Sequence, residues 1–149
     1  MSAPRPDDAG VRTVTLRIDS RLDQVELLGR AVAGLAGAAG LPRRACGHVE
    51  LAIVEAVNNA IRHAYRGQPG HVVEVVFART EDGIVLQVCD EGSPMPARQA
   101  PVLDFDPADV PNLPEGGMGL FLIHNVMDRV DYASENGRNV LTLSRRIAA

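Results

Sequence analysis

Hydrophobic residues fall on two periods along this chain, and the switches between them outline its elements. From 11 to 19, VRTVTLRID alternates Val, Val, Leu and Ile with Arg and Thr, the period-2 pattern of a half-buried strand. At Ser20 the period changes. SRLDQVELLGRAVAGLAGAAG (20–40) places its apolar residues at helical spacing, with Ser20 as an N-cap. Gly34 and Gly37 weaken that helix intrinsically and suggest close packing there. Gly40-Leu41-Pro42 ends it, and Pro42 suits the first turn of a second helix running to about Tyr65. Ala52, Ile53, Ala56, Val57, Ala60 and Ile61 give this second helix an apolar face.

After the turn RGQPG (66–70), two further period-2 runs at 71–80 and 83–92 read as a hairpin through 81–83. The stretch 93–117 is rich in proline and keeps neither period. So long a connection is uncommon inside a compact domain and usually serves as a functional lid. A helix starts at Gly117, and strands at 130–135 and 138–146 flank Asn136-Gly137, a strong hairpin signal. The order strand, helix, helix, strand, strand, loop, helix, strand, strand predicts an α+β fold. It is a two-layer α/β sandwich with a mixed, mostly antiparallel sheet and helices on one face. The length, 149 residues, fits one domain with a real core. That domain is expected at 11–149, after a flexible tail at 1–10, with the lid at about 93–116.

Composition narrows the class. Trp is absent and aromatics are few, so Ala, Val, Leu and Ile must build the core. A net charge of −4 with interspersed signs argues against direct nucleic-acid binding, which needs a basic patch. No stretch has the length of a membrane span. The start, MSAPRPDDAG, lacks the apolar segment of a secretory signal. Cys46 and Cys89 form no C-x-x-C pair and no metal-ligand spacing with histidine. They read as small reduced thiols of a cytoplasmic protein.

Three places carry chemistry. In EAVNNAIRHAY (55–65), Glu55, Asn59 and His63 stack along one stripe of the second helix. In CDEGSP (89–94), Asp90 and Gly92 stand where an apolar strand ends. In EGGMGL (115–120), glycines open a helix directly after the long loop. Each alone is a weak signal; together and in order they suggest a magnesium-nucleotide site. Free N–H groups and the dipole at a helix N-terminus bind phosphate, and Gly117 and Gly119 let backbone approach it. A buried carboxylate at Asp90 can accept from an exocyclic amine, with Gly92 leaving room for a flat base. The amide oxygen of Asn59 suits magnesium, which takes oxygen ligands and keeps its waters. Glu55, one turn away, is placed to take a proton from an attacking hydroxyl.

These three segments resemble the N-box and the two G-boxes of the Bergerat (GHKL) ATP-binding fold, shared by gyrase, MutL and the sensor histidine kinases. The small size, the spacing and FDPADVPNLPEGGMGLFLIHNVMDRVDY (105–132) are similar to the anti-sigma-factor serine/threonine kinases. The resemblance runs from about Val11 to Arg145. It implies Glu55 as general base, Asn59 as magnesium ligand, His63 near the phosphates and lid, and Asp90 with Gly92 at the adenine. It implies Gly117, Met118, Gly119 and Leu120 on the phosphate side, the lid over ATP, and Asn139 as a strand residue helping Asp90. Met118 departs from relatives that often carry arginine there, and Ser93-Pro94 stands where larger ATPases have a further glycine.

The function implied is an anti-sigma factor with serine/threonine kinase activity. Such a protein uses Mg-ATP to phosphorylate an anti-anti-sigma antagonist, sequesters a sigma factor, and is usually a homodimer. The alternative is an ATP-binding protein-interaction switch without transfer. A detached histidine-kinase domain is disfavoured because no helix presents an acceptor histidine, and a gyrase or MutL fragment because no transducer domain follows.

Overall fold

The computed structural model describes residues 12–95 and 118–147. The period-2 runs become β1 (Arg12–Asp19), β2 (Val72–Arg79), β3 (Gly83–Asp90), β4 (Arg129–Glu135) and β5 (Arg138–Arg146). Among the described residues they form one sheet in the order β1-β2-β3-β5-β4. Every pairing is antiparallel, where the sequence left room for a mixed sheet. Between β1 and β2 lie a 3-10 turn (Leu22–Gln24), helix α1 (Val25–Ala38), helix α2 (Arg43–Asn59) and a π turn (Ala60–Ala64). Helix α3 (Met118–Val126) precedes the β4–β5 hairpin, whose Asn136-Gly137 takes φ of 54° and 75°, as a type I′ turn requires. The tail at 1–10, and the lid beyond Met95, lie outside the described residues.

Side chains alternate across a sheet, and here the alternation separates two chemistries. Val73, Val75 and Phe77 of β2, Ile84, Leu86 and Val88 of β3, and Leu141 and Leu143 of β5 all enter one core. The helices complete it with Val32, Ile53, Val57 and Ile123. On the opposite face Glu74 of β2 pairs with Arg17 of β1 at 3.3 Å and with Arg138 of β5 at 3.5 Å. Helices therefore cover the apolar face alone, and the two-layer sandwich follows. The six apolar positions expected on the second helix, now shared between α2 and the π turn, are all buried in this core. Among the described residues no helix is long and apolar enough to cross a membrane. Cys46 and Cys89 are both free thiols.

Two local expectations are corrected. Ser20 caps no helix. Its Oγ donates to the carbonyl of Gln68 at 2.6 Å and accepts the His71 N–H at 3.1 Å, so it ties the end of β1 to the turn before β2. The close packing on α1 is not at Gly34 or Gly37. A Cβ at Gly34 would meet nothing within 4 Å, and one at Gly37 only Cys46 Sγ at 3.6 Å. The tight place is Gly29, where a Cβ would lie 2.7 Å from Val54 Cγ2. That contact depends on how α1 crosses α2, which helical spacing does not state.

Candidate functional site

Where α2 ends, the backbone widens. Tyr65 N–H donates to the carbonyl of Ala60 at 3.1 Å, and Gly67 N–H reaches Ile61 at 2.8 Å. Single π turns of this kind cluster at functional sites. This one leaves Asn59, His63 and Ala64 on the wall of a cleft of about 290 Å³, facing Asp90, Met95 and Tyr132. Val88, Leu141, Ala56 and Ala60 line its apolar part. Asn59 makes no side-chain hydrogen bond among the described residues, so its amide is available to a ligand.

Asp90 closes β3 and is 9% exposed. In the sheet register it stands opposite Asn139 of β5, which in turn stands opposite Ser134 of β4. The three side chains form a chain. Ser134 Oγ donates to Asn139 Oδ1 at 2.7 Å, and Asn139 Nδ2 donates to Asp90 Oδ1 at 2.7 Å and to the carbonyl of Gly92 at 2.9 Å. Gly92 N–H adds a second donor to Asp90 Oδ1 at 3.0 Å. Both bonds to Asp90 use the same oxygen, which leaves Oδ2 as an unused acceptor among the described residues. Burial pushes the Asp90 carboxyl above its ordinary range, while the bonds from Asn139 and Gly92 pull it back. A largely buried acceptor held in one orientation is suited to a neutral N–H donor such as an exocyclic amine.

The strand-to-loop segment 91–95 is pinned from outside at each amide it owns. Glu91 N–H donates to Tyr65 Oη at 2.7 Å, and Ser93 N–H to the carbonyl of Ala64 at 2.9 Å. Met95 N–H donates to Tyr132 Oη at 2.7 Å; position 94 is proline and has no N–H to place. Both tyrosines of the chain thus hold this segment, one from each side. Gly92 also has a steric role in the fold. A Cβ on it would lie 2.3 Å from the carbonyl oxygen of Ala64, so the missing side chain lets the loop lie against the π turn.

The structure brings Asn59, His63, Asp90, Gly92 and Asn139 to one end of the molecule. Glu55 is half-buried one turn before Asn59 and does not line the cleft wall. Met118, Gly119 and Leu120 open α3; Gly117 lies outside the described residues. Sequence reasoning missed Ser134, Tyr65 and Tyr132. Ser134 was recoverable, since a two-residue turn at 136–137 sets 134 opposite 139. The tyrosines were not, because their partners lie 26 and 37 residues away.

Comparison with known proteins agrees with this architecture. Residues 18–145 match the histidine kinase-like ATPase domain, and the chain belongs to that family. Its curated relatives include the serine-protein kinase RsbW of Listeria monocytogenes serovar 1/2a, 28% identical over 131 residues, covering 86% of this chain and 83% of that one. RsbW of Bacillus mycoides is 29% identical over 133 residues, covering 86% and 81%. Among solved structures, the RsbU and RsbW domains of a Mycobacterium tuberculosis protein superpose with a TM-score of 0.62 at 16% identity. That match covers 93% of this chain and 33% of the longer mycobacterial one. The histidine kinase domain of the Erythrobacter litoralis EL346 blue-light activated histidine kinase gives 0.55 at 16% identity, covering 87% and 62%. The two structural likenesses establish the fold.

Proposed function

We propose that this protein is an ATP-dependent serine/threonine protein kinase that acts as an anti-sigma factor. In this reading it phosphorylates an anti-anti-sigma antagonist and, in exchange, holds a sigma factor. The observation that carries the reading is the preorganised acceptor of Asp90 at one end of a cleft whose other wall offers Asn59 and His63. The relatives named serine-protein kinase, aligned along 86% of the chain, support the same activity.

Each residue has a chemical part. Asp90 Oδ2 accepts from the exocyclic amine of adenine, and the apolar lining receives the ring. Asn59 offers a hard amide oxygen of the type magnesium prefers, and the ion, when bound, neutralises phosphate charge. Glu55 takes the proton of the acceptor hydroxyl as its oxygen attacks the γ-phosphorus and the bond to the leaving ADP oxygen breaks in line. His63 stands beside this path. The family resemblance assigns Gly117, Met118, Gly119 and Leu120 to the phosphate side and 93–116 to an ATP lid. The protein is further read as a cytoplasmic homodimer that contacts neither nucleic acid nor membrane directly.

The test is a transfer assay with labelled ATP, magnesium and a small antagonist protein from the same host. The unaltered chain is expected to place acid-stable phosphate on a serine or threonine. Glu55→Ala is expected to lose transfer by about a thousandfold and to keep its ATP affinity. Normal transfer by that variant removes Glu55 from the mechanism. ATP binding with no transfer by the unaltered chain favours the switch without kinase activity.

A further inference from the structure

Arg66 stands where the backbone favours glycine. Its φ is 55°, in the left-handed region that crowds the Cβ of an L-residue and that glycine enters freely. The other non-glycine residue with positive φ among the described residues is Asn136, a type that tolerates this conformation. The turn is fixed around Arg66. Gly67 N–H reaches back to the carbonyl of Ile61 at 2.8 Å, and Gln68 N–H to that of Tyr65 at 3.0 Å. Backbone strain of this kind persists where the surrounding structure imposes it, and it gathers at ligand sites. Arg66 also lines the cleft, together with His63, Ser93 and Pro94. It is the only lysine or arginine on that wall among the described residues. It is exposed, and its guanidinium makes no ion pair or hydrogen bond among the described residues. Arg17, Arg138 and Arg145, by contrast, all have partners within the fold.

We propose that Arg66 is a binding residue for the phosphate chain of the nucleotide, a cation set on the rim of the cleft by the turn that follows α2. This rests on reading the cleft as a nucleotide site. Asp90 is buried and takes the base, so the phosphates extend toward the exposed rim, where His63 and Arg66 stand. A guanidinium offers its donors in a planar fork that matches two phosphate oxygens. The backbone of Arg66 is set before the ligand arrives, which leaves only the side chain to be ordered on binding. The strain is present with or without ligand. Replacing the arginine by glycine therefore relieves the backbone while it removes the cation, and stability is kept or raised as affinity falls.

The experiment titrates Mg-ATP into the full chain and into Arg66→Gly and Arg66→Lys, at low and at high salt, with melting curves alongside. Arg66→Gly is expected to melt no lower than the parent and to bind Mg-ATP about tenfold more weakly at low salt. That difference is expected to shrink at high salt, because an exposed cation is screened. Arg66→Lys keeps the charge and is expected to bind more tightly than Arg66→Gly. Unchanged affinity in Arg66→Gly overturns the proposal. So does weaker binding that comes with a lower Tm, that is the same at both salt concentrations, or that lysine does not improve. Failure of the unaltered chain to bind Mg-ATP would overturn the reading of the cleft itself, and this inference with it.

Discussion

At position 90 a carboxylate is held where burial disfavours its charge. The sign of the consequence follows from linkage. An acid whose folded-state pKa is raised binds its proton more tightly folded than unfolded. Stability of the ligand-free protein therefore falls as pH rises from the ordinary carboxylate range through the raised value. Asp90→Asn removes the charge, keeps an oxygen for the Asn139 and Gly92 donors, and abolishes this dependence. We expect it to be more stable than the parent at neutral pH by about 1 kcal/mol, or about 2–4 °C in Tm for a chain of this size. Calorimetry should show the gain together with loss of ATP binding; an unchanged or lower Tm contradicts the account of Asp90. At this scale the sequence was partly legible. Asp90 and Asn59 stood out because polar groups interrupted apolar patterns. The chain from Ser134 through Asn139 to Asp90 needed the register of three strands.

Among the elements, the helix ends and loop roots decide the shape of the cleft. The strands were readable to within two residues, because one buried face forces strict alternation. What periodicity did not contain was the π turn at 60–64, the role of Ser20, and which glycine of α1 is crowded. The last two depend on partners remote in sequence; Ser20 reaches Gln68 and His71, for instance. Two substitutions separate crowding from flexibility. Gly92→Ala drives a Cβ against the Ala64 carbonyl and should cost about 1–3 kcal/mol, with weaker nucleotide binding. Gly34→Ala enters open space on an exposed helix position and should stabilise by up to about 1 kcal/mol. Urea unfolding with an unchanged m-value measures both. Equal effects of the two would mean that Gly92 is not needed for the contact between loop and helix.

Over the whole molecule, one sheet face serves the core and one end of the sandwich carries the candidate cleft. The α1–α2 layer supplies Asn59 and His63, β3 supplies Asp90, and β4 and β5 supply Tyr132, Ser134 and Asn139. A ligand in the cleft therefore touches elements from both layers and should stabilise the fold as a unit, by RT ln(1 + [L]/Kd). The general plan was visible in the sequence because the alternation of periods fixed the element order and the order fixed the layers. The cleft was visible only as separate segments, of which the described residues bring 55–65 and 89–94 together. The most direct test of the central claim is titration calorimetry of the full chain with ATP, with magnesium and with magnesium removed by chelation. The account predicts saturable binding that weakens without the metal, is lost in Asp90→Asn, and is far weaker for GTP. Absence of any saturable heat with Mg-ATP, from a protein shown to be folded, would contradict it.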